Sequence, residues 1–288
     1  MDTVSPDKSG QNLNAQRFQM LEDIARELAG EVAFPTSFDL VTRLRKALQD
    51  PNYSLDQIAA LLALEPLISA RLISLANSAA YNTSGQEVRD VKKAVSRLGL
   101  NNVRSAAMAI AMNQLLRSKD MVAFDEVAKK LWQHSLHTAS AAYVLAKNLT
   151  KLNPDEAMLA GMVHDLGGFY MLYRATQYAE LRTRPDSVTY VIAQWHESIG
   201  HSLLLALGLP EEVADAMRDH DQPRDLPEVP RNLADIIYVA NLLAGGARGW
   251  LLQGVECSVV DNLDFGETYT ALIPAIDAHR QEILAAYS

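Results

Sequence analysis

The sequence predicts an all-α protein of two helical lobes, an N-terminal helical bundle followed by a lobe that holds most of the histidines. Three observations carry this. Apolar residues recur three and four apart along most of the chain. Turn signals such as Asp50-Pro51, Glu65-Pro66, Gly99 and Asn153-Pro154 cut that pattern into helix-length pieces. No stretch alternates apolar and polar residues with the period of two that a half-buried strand needs.

Residues 1–12 are polar, contain Ser-Pro and Ser-Gly steps and are expected to be disordered. The N-terminal lobe spans 13–118. Its first helix carries Phe18, Leu21, Ile24, Ala25 and Leu28 on one face and ends at Gly30. Thr36 can cap a helix with the stripe Leu40, Val41, Leu44 and Leu48, broken at Asp50-Pro51. Ser54 and Gln57 form a capping box for the next. Pro66 opens another at a position whose N–H would have gone unpaired in any case, and Asn77-Ser78 form a hydrogen-bonding pair at its end. Asp90 caps a helix stopped by Gly99, and Asn101-Asn102 begin one that runs to about Leu116.

The charged stretch Arg117 to Asp125 is read as a boundary, and the second lobe spans 125–245. Val127, Leu131, Ser135, Thr138, Ala142, Leu145 and Leu149 mark a long helix. Asn153-Pro154-Asp155-Glu156 is a helix start, with a cap, a proline at the first position and two acids near the positive end of the dipole. That helix runs into AMLAGMVHDLGG, which sets His164 beside Asp165, and Gly167-Gly168 are expected to stop it. Helices follow over about Val188 to Leu207, from Pro210 toward His220, and over Leu233 to Ala244. Residues 246–288 form an extension, irregular to Asp264. It closes in an amphipathic helix over Thr268 to Tyr287, which packs on its own chain or on a second copy in a homodimer.

A formal net charge of -9 gives no electrostatic help with a phosphate backbone, so a nucleic-acid partner is not expected. The basic residues Lys92, Lys93, Arg97 and Arg104 read as a solvated helix face. The lone cysteine, Cys257, allows no disulfide framework within the chain. The first residues, MDTVSPDKSG, lack a basic segment followed by an apolar one, and the run Ala106 to Leu116 is too short to span a bilayer. A cytoplasmic location without membrane contact is expected.

Six of the seven histidines fall between residues 134 and 220. His134 and His137 share a helix face. His164 adjoins Asp165, His196 and His201 diverge on one helix, and His220 precedes Asp221. His279, on the terminal helix, is expected to be exposed, while Trp132 and Trp195 are expected in the core. Imidazoles and a carboxylate from separate helices suit Fe, Mn or Zn. Such an ion could activate water for attack on phosphorus. The bland alternative is a buried polar pair that fixes helix packing.

The order of His134, His164-Asp165, His196 and His220 resembles the HD superfamily of metal-dependent phosphohydrolases. Phe34-Pro35, Asp50-Pro51, Glu65-Pro66-Leu67, Ser69 to Leu72, Asn77-Ser78 with Tyr81, and Leu98-Gly99 resemble its degenerate branch, the HDOD domain of bacterial signalling proteins. The resemblance covers about residues 30–245 and makes the second lobe an HD-like lobe. It implies His134, His164, Asp165, His196 and His220 as metal ligands, with Asp165 central if the chain is an enzyme. It also implies a closing aspartate where Asn241 stands and a lysine where Gly168 stands. These departures argue against efficient chemistry and leave open a site that binds no metal at all.

Three functions compete: a signalling module that acts through a protein partner, a metal-dependent phosphohydrolase acting on a nucleotide or other phosphoester, and a sensor whose pocket binds a metal or small ligand without turnover. The first, overlapping with the third, is the reading taken.

Overall fold

The computed structural model describes residues 11–30 and 264–287, Trp250, and 41–246 apart from 42, 45, 48, 49, 51, 65, 80, 117 and 118. Cys257, Thr36, Leu40 and Leu48 lie outside the described residues. Among those described, every regular element is helical. The helices are α1 (Gln11–Leu28), α2 (Leu55–Ala63), α3 (Pro66–Asn77), α4 (Val91–Leu116) and α5 (Asp125–Leu149). They continue as α6 (Pro154–Val163), α7 (Leu166–Ala175), α8 (Ala179–Arg182), α9 (Pro185–Ala206) and α10 (Glu211–Asp215). The last are α11 (Leu233–Leu243), α12 (Gly266–Thr270) and α13 (Ile273–Tyr287).

Local chemistry explains many of the boundaries. Ser54 accepts from the Gln57 amide while the Gln57 side chain accepts from the Ser54 amide, a complete capping box at α2. Asp90 accepts from the Lys93 amide at 2.8 Å at the start of α4. α4 breaks at Gly99, whose φ of 75° lies outside the helical range. Asn77 pairs with both backbone groups of Val88, at 2.7 and 2.8 Å, and so pins the loop after α3. Asn153 caps α6 through the Asp155 amide at 3.0 Å, with Pro154 following it.

The core runs unbroken through both lobes. The two helices of the kinked α4 join the lobes, because α4 packs on α2 and α3 on one side and on α6 on the other. In the second lobe α5 lies along α6, α11 and α13, while α7 lies along α9. α13 packs on α5 and α3 of its own chain. α1 lies on α7, α8 and α9, held by Arg174 to Glu27 at 2.7 Å, Tyr178 to Asp23 at 2.6 Å and Arg17 to Ser187 at 2.7 Å.

Several expectations change. Gly167 and Gly168 do not end the helix before them; they lie inside α7, and the chain turns at His164-Asp165 instead. Phe18 is 69% exposed: of the expected face of α1, Ile24 is buried and Leu21 and Leu28 pack against the core, while Met20 is buried in place of Phe18. Trp195 is 47% exposed, beyond the strip Ile192, His196, Ile199 and Leu203. His279 is buried rather than exposed, stacked on Tyr143 with ring centroids 4.3 Å apart and planes 3° apart, because α13 lies against α5. The terminal helix begins at Ile273, after the separate short α12. Among the described residues no single helix is long and apolar enough to cross a membrane.

Candidate metal centre

The site lies where α5, the α6–α7 turn, α9 and the segment after α10 meet. Two close backbone approaches create it. A Cβ on Gly161 would stand 2.8 Å from the Ala139 Cα and 2.9 Å from the Thr138 carbonyl oxygen, so a side chain there would push α6 off α5. A Cβ on Gly167 would stand 2.0 Å from the His196 carbonyl oxygen and 2.7 Å from the Gly200 nitrogen. No rotamer change relieves a clash with backbone. Glycine at 167 therefore lets α7 touch α9 and brings His196 to Asp165.

The structure brings all five sequence-predicted ligands together. His134, His164, Asp165, His196 and His220 are buried, none more than 4% exposed. Each histidine spends its Nδ1 proton on a backbone carbonyl: His134 on Ala244 at 3.3 Å, His164 on Gly161 at 2.8 Å, His196 on Ile192 at 2.9 Å and His220 on Met217 at 2.6 Å. Such bonds fix ring orientation and leave each Nε2 lone pair facing inward, the form a metal ligand takes.

The inward atoms meet around the Asp165 carboxylate. Oδ2 lies 3.1 Å from His164 Nε2 and 3.6 Å from His134 Nε2. Oδ1 lies 3.3 Å from His220 Nε2 and 3.4 Å from His196 Nε2. The two Nε2 atoms of His134 and His164 are 3.1 Å apart. Ligands about 2.0–2.1 Å from one tetrahedral ion stand about 3.3 Å from one another, so these separations are those of a coordination shell. Both Asp165 oxygens and the Nε2 atoms of His196 and His220 are buried with no hydrogen-bond partner. The residues thus fit divalent ions in two half-sites that share Asp165. His134 and His164 complete one, and His196 and His220 belong to the other.

Burial and charge shape the protonation of the metal-free site. Burial, reinforced by His164, pushes His134 down to about 4. Burial also opposes charge on His220, but the Asp221 and Asp165 carboxylates outweigh it and push this histidine up to about 10. His196 is raised in the same way by Asp221 and Asp165 against the cost of burial. Burial alone would raise Asp165, yet His164 and His220 hold it well below the usual carboxylate range. A proton on His220 supplies positive charge that a bound cation would otherwise bring.

The other histidines lie elsewhere. His201 pairs with Asp215 and Arg218 at the surface, and the charges that act on His137 are Arg280 and Asp277, on α13. Residues passed over in the sequence do take part. Asp221 Oδ2 lies 3.4 Å from His196 Nε2 and 3.7 Å from His220 Nε2. Glu197 accepts from the Asp221 amide at 3.1 Å. Trp250, 2% exposed, stands edge-on to His196 with ring centroids 6.2 Å apart and lies over Gly168, where a Cβ would meet it at 2.9 Å. That indole occupies the space a lysine side chain at 168 would enter.

These features define a class: an all-helical protein with a buried His/Asp site of metal-binding type. The model of the HDOD domain matches residues 34–223, and the chain belongs to that family. It is 27% identical over 213 residues to an uncharacterized protein of Treponema pallidum (strain Nichols), a match over 69% of this chain and 40% of that protein. The chain thus spans about two fifths of the length of that relative. Among solved structures it is similar to a "putative metal-dependent phosphohydrolase" from Shewanella amazonensis SB2B, with TM-score 0.68 and 24% identity over 95% of this chain and 100% of that one. It is also similar to an HDOD domain protein with unknown function from Geobacter sulfurreducens, with TM-score 0.58 and 23% identity over 93% and 97%. A "putative signal transduction protein" from Marinobacter aquaeolei VT8 gives TM-score 0.55 and 23% identity over 100% and 68%. These structural likenesses concern the fold.

Proposed function

We propose that this chain is an HDOD signalling module built around a metal centre that binds divalent Fe, Mn or Zn, and that metal occupancy is the state it reports to a protein partner. One observation carries the metal reading. His134 and His164 have committed their Nδ1 protons to carbonyls, yet their Nε2 atoms face each other at 3.1 Å. Two lone pairs at that distance repel unless a cation lies between them. For the partner, the exposed aromatic rings of Phe18, Tyr190 and Trp195 give support, since aromatic side chains are enriched at protein interfaces.

A second reading, metal-dependent hydrolysis of a phosphoester, is favoured by the half-site of His134, His164 and Asp165. Three protein donors with a further position open is the pattern of catalytic sites. Ions held there would lower the pKa of bound water and polarise a phosphoryl oxygen. The chain's own part would be to orient the imidazoles through the backbone carbonyls and to keep Asp165 ionised.

Elemental analysis after loading with Mn2+, Fe2+ or Zn2+ tests the proposal. The native chain should hold up to about two ions, and the double variant His164→Ala, Asp165→Ala should hold none. A native chain that takes up no metal would sink both readings. Release of product from nucleotides or cyclic dinucleotides by the loaded protein would favour the second.

A further inference from the structure

We infer that Asp221 is the second carboxylate of the metal centre and that Asn241 is the residue that positions it. This rests on the metal reading above. Read as a sequence, Asn241 is a lost ligand. In the fold it is buried on α11, and its amide nitrogen donates to Asp221 Oδ1 at 2.8 Å and to the His220 carbonyl at 3.1 Å. One side chain thus ties down two consecutive residues of the site.

Consecutive residues on a helix point about 100° apart, which sets short neighbouring side chains in different directions. Here the backbone leaves the helical path just before them. Asp219 has φ of 57°, the one positive value at a non-glycine position among the described residues. Such a conformation is strained for a residue with a side chain and persists where surrounding contacts enforce it. The turn after it admits His220 and Asp221 together. Glu197 holds the Asp221 amide, Asn241 holds Oδ1, and Oδ2 is left 3.4 Å from His196 Nε2. That half-site then has four donors: His196, His220, Asp165 Oδ1 and Asp221 Oδ2. Asp221 also adds a second anionic ligand, which hard and borderline divalent cations favour.

The neutrality of residue 241 follows from the same geometry. Asn241→Asp would set a carboxylate against Asp221 Oδ1 at the 2.8 Å now spanned by a hydrogen bond. The two ways of reading Asn241 therefore predict opposite results. If it is a vacancy left by a lost ligand, Asn241→Asp tightens metal binding. If it positions Asp221, Asn241→Asp does not tighten it, and Asp221→Asn weakens it.

The test is titration of the metal-free full chain with Mn2+ and with Co2+, the latter read by its visible absorption, alongside thermal unfolding of each metal-free variant. Asp221→Asn, which keeps shape and removes charge, should weaken one of two ions by roughly 100-fold or more and change the Co2+ spectrum. Asn241→Ala should weaken the same ion by about 10–100-fold, as loss of an orienting partner does, and alter the same band. Native affinity in Asp221→Asn, or tighter binding in Asn241→Asp, overturns this inference while the metal reading stands. No uptake by the native chain removes the metal reading itself. A variant that unfolds without metal is replaced by Asp221→Glu, which should recover part of the affinity and the spectrum if the carboxylate is a ligand.

Discussion

At Gly167 the α-carbon of α7 lies so close to α9 that a methyl group would fall 2.0 Å from the His196 carbonyl oxygen. Gly167→Ala must therefore separate the two helices, and the same shift would draw His196 away from Asp165. Overpacking of this kind costs about 1–3 kcal/mol. The variant should unfold at lower temperature and bind metal more weakly, which calorimetry and metal titration would each read. Unchanged metal affinity would show that helix spacing does not set the site. The five candidate ligands are legible in the sequence because His-Asp adjacency and spaced histidines are chemically unusual inside apolar helices. Asp221 also adjoins a histidine, but nothing periodic signals the left-handed turn at Asp219 that aims it inward.

Among the elements, α13 makes a prediction of its own. His279 is pressed against Tyr143, with Lys147 5.5 Å above the same ring. Burial, helped by Lys147, pushes His279 down to about 4 from an ordinary 6.5. The folded form thus prefers neutral His279 while the unfolded chain takes up the proton first. Its contribution is complete above about pH 6.5 and is lost as pH falls through about 4. The protection factors of amides in residues 273–285, taken relative to intrinsic exchange at each pH, should fall over that window. His279→Phe keeps a ring on Tyr143 and should remove the pH dependence; an unchanged profile in that variant would exclude His279 as its cause. The capping residues show why such elements can be read locally. Ser54, Asp90 and Asn153 each act on amides two or three residues away.

For the whole molecule, metal binding and folding are linked. The candidate ligands come from α5, the α6–α7 turn, α9 and the segment after α10, so an ion held by them would tie these elements together and favour the folded state. An ion at about 100 times its dissociation constant adds about 2.7 kcal/mol. For 288 residues, at an unfolding entropy of about 2.1 cal/mol/K per residue, that is a rise of roughly 4–5 °C in Tm. A chelator should reverse it, and the variant His164→Ala, Asp165→Ala should show none; an equal rise in that variant would place the ion elsewhere. By itself the sequence determined the helical class, many helix starts and the kinds of donor present. Those follow from side-chain periodicity and capping within a few residues. Only the tertiary structure decided which donors meet. His134 and Ala244 are 110 residues apart, and no local rule sets that distance. The backbone contacts at Gly161 and Gly167 draw the helices together, and the Asn241 amide then holds a carboxylate where the chain pattern shows none.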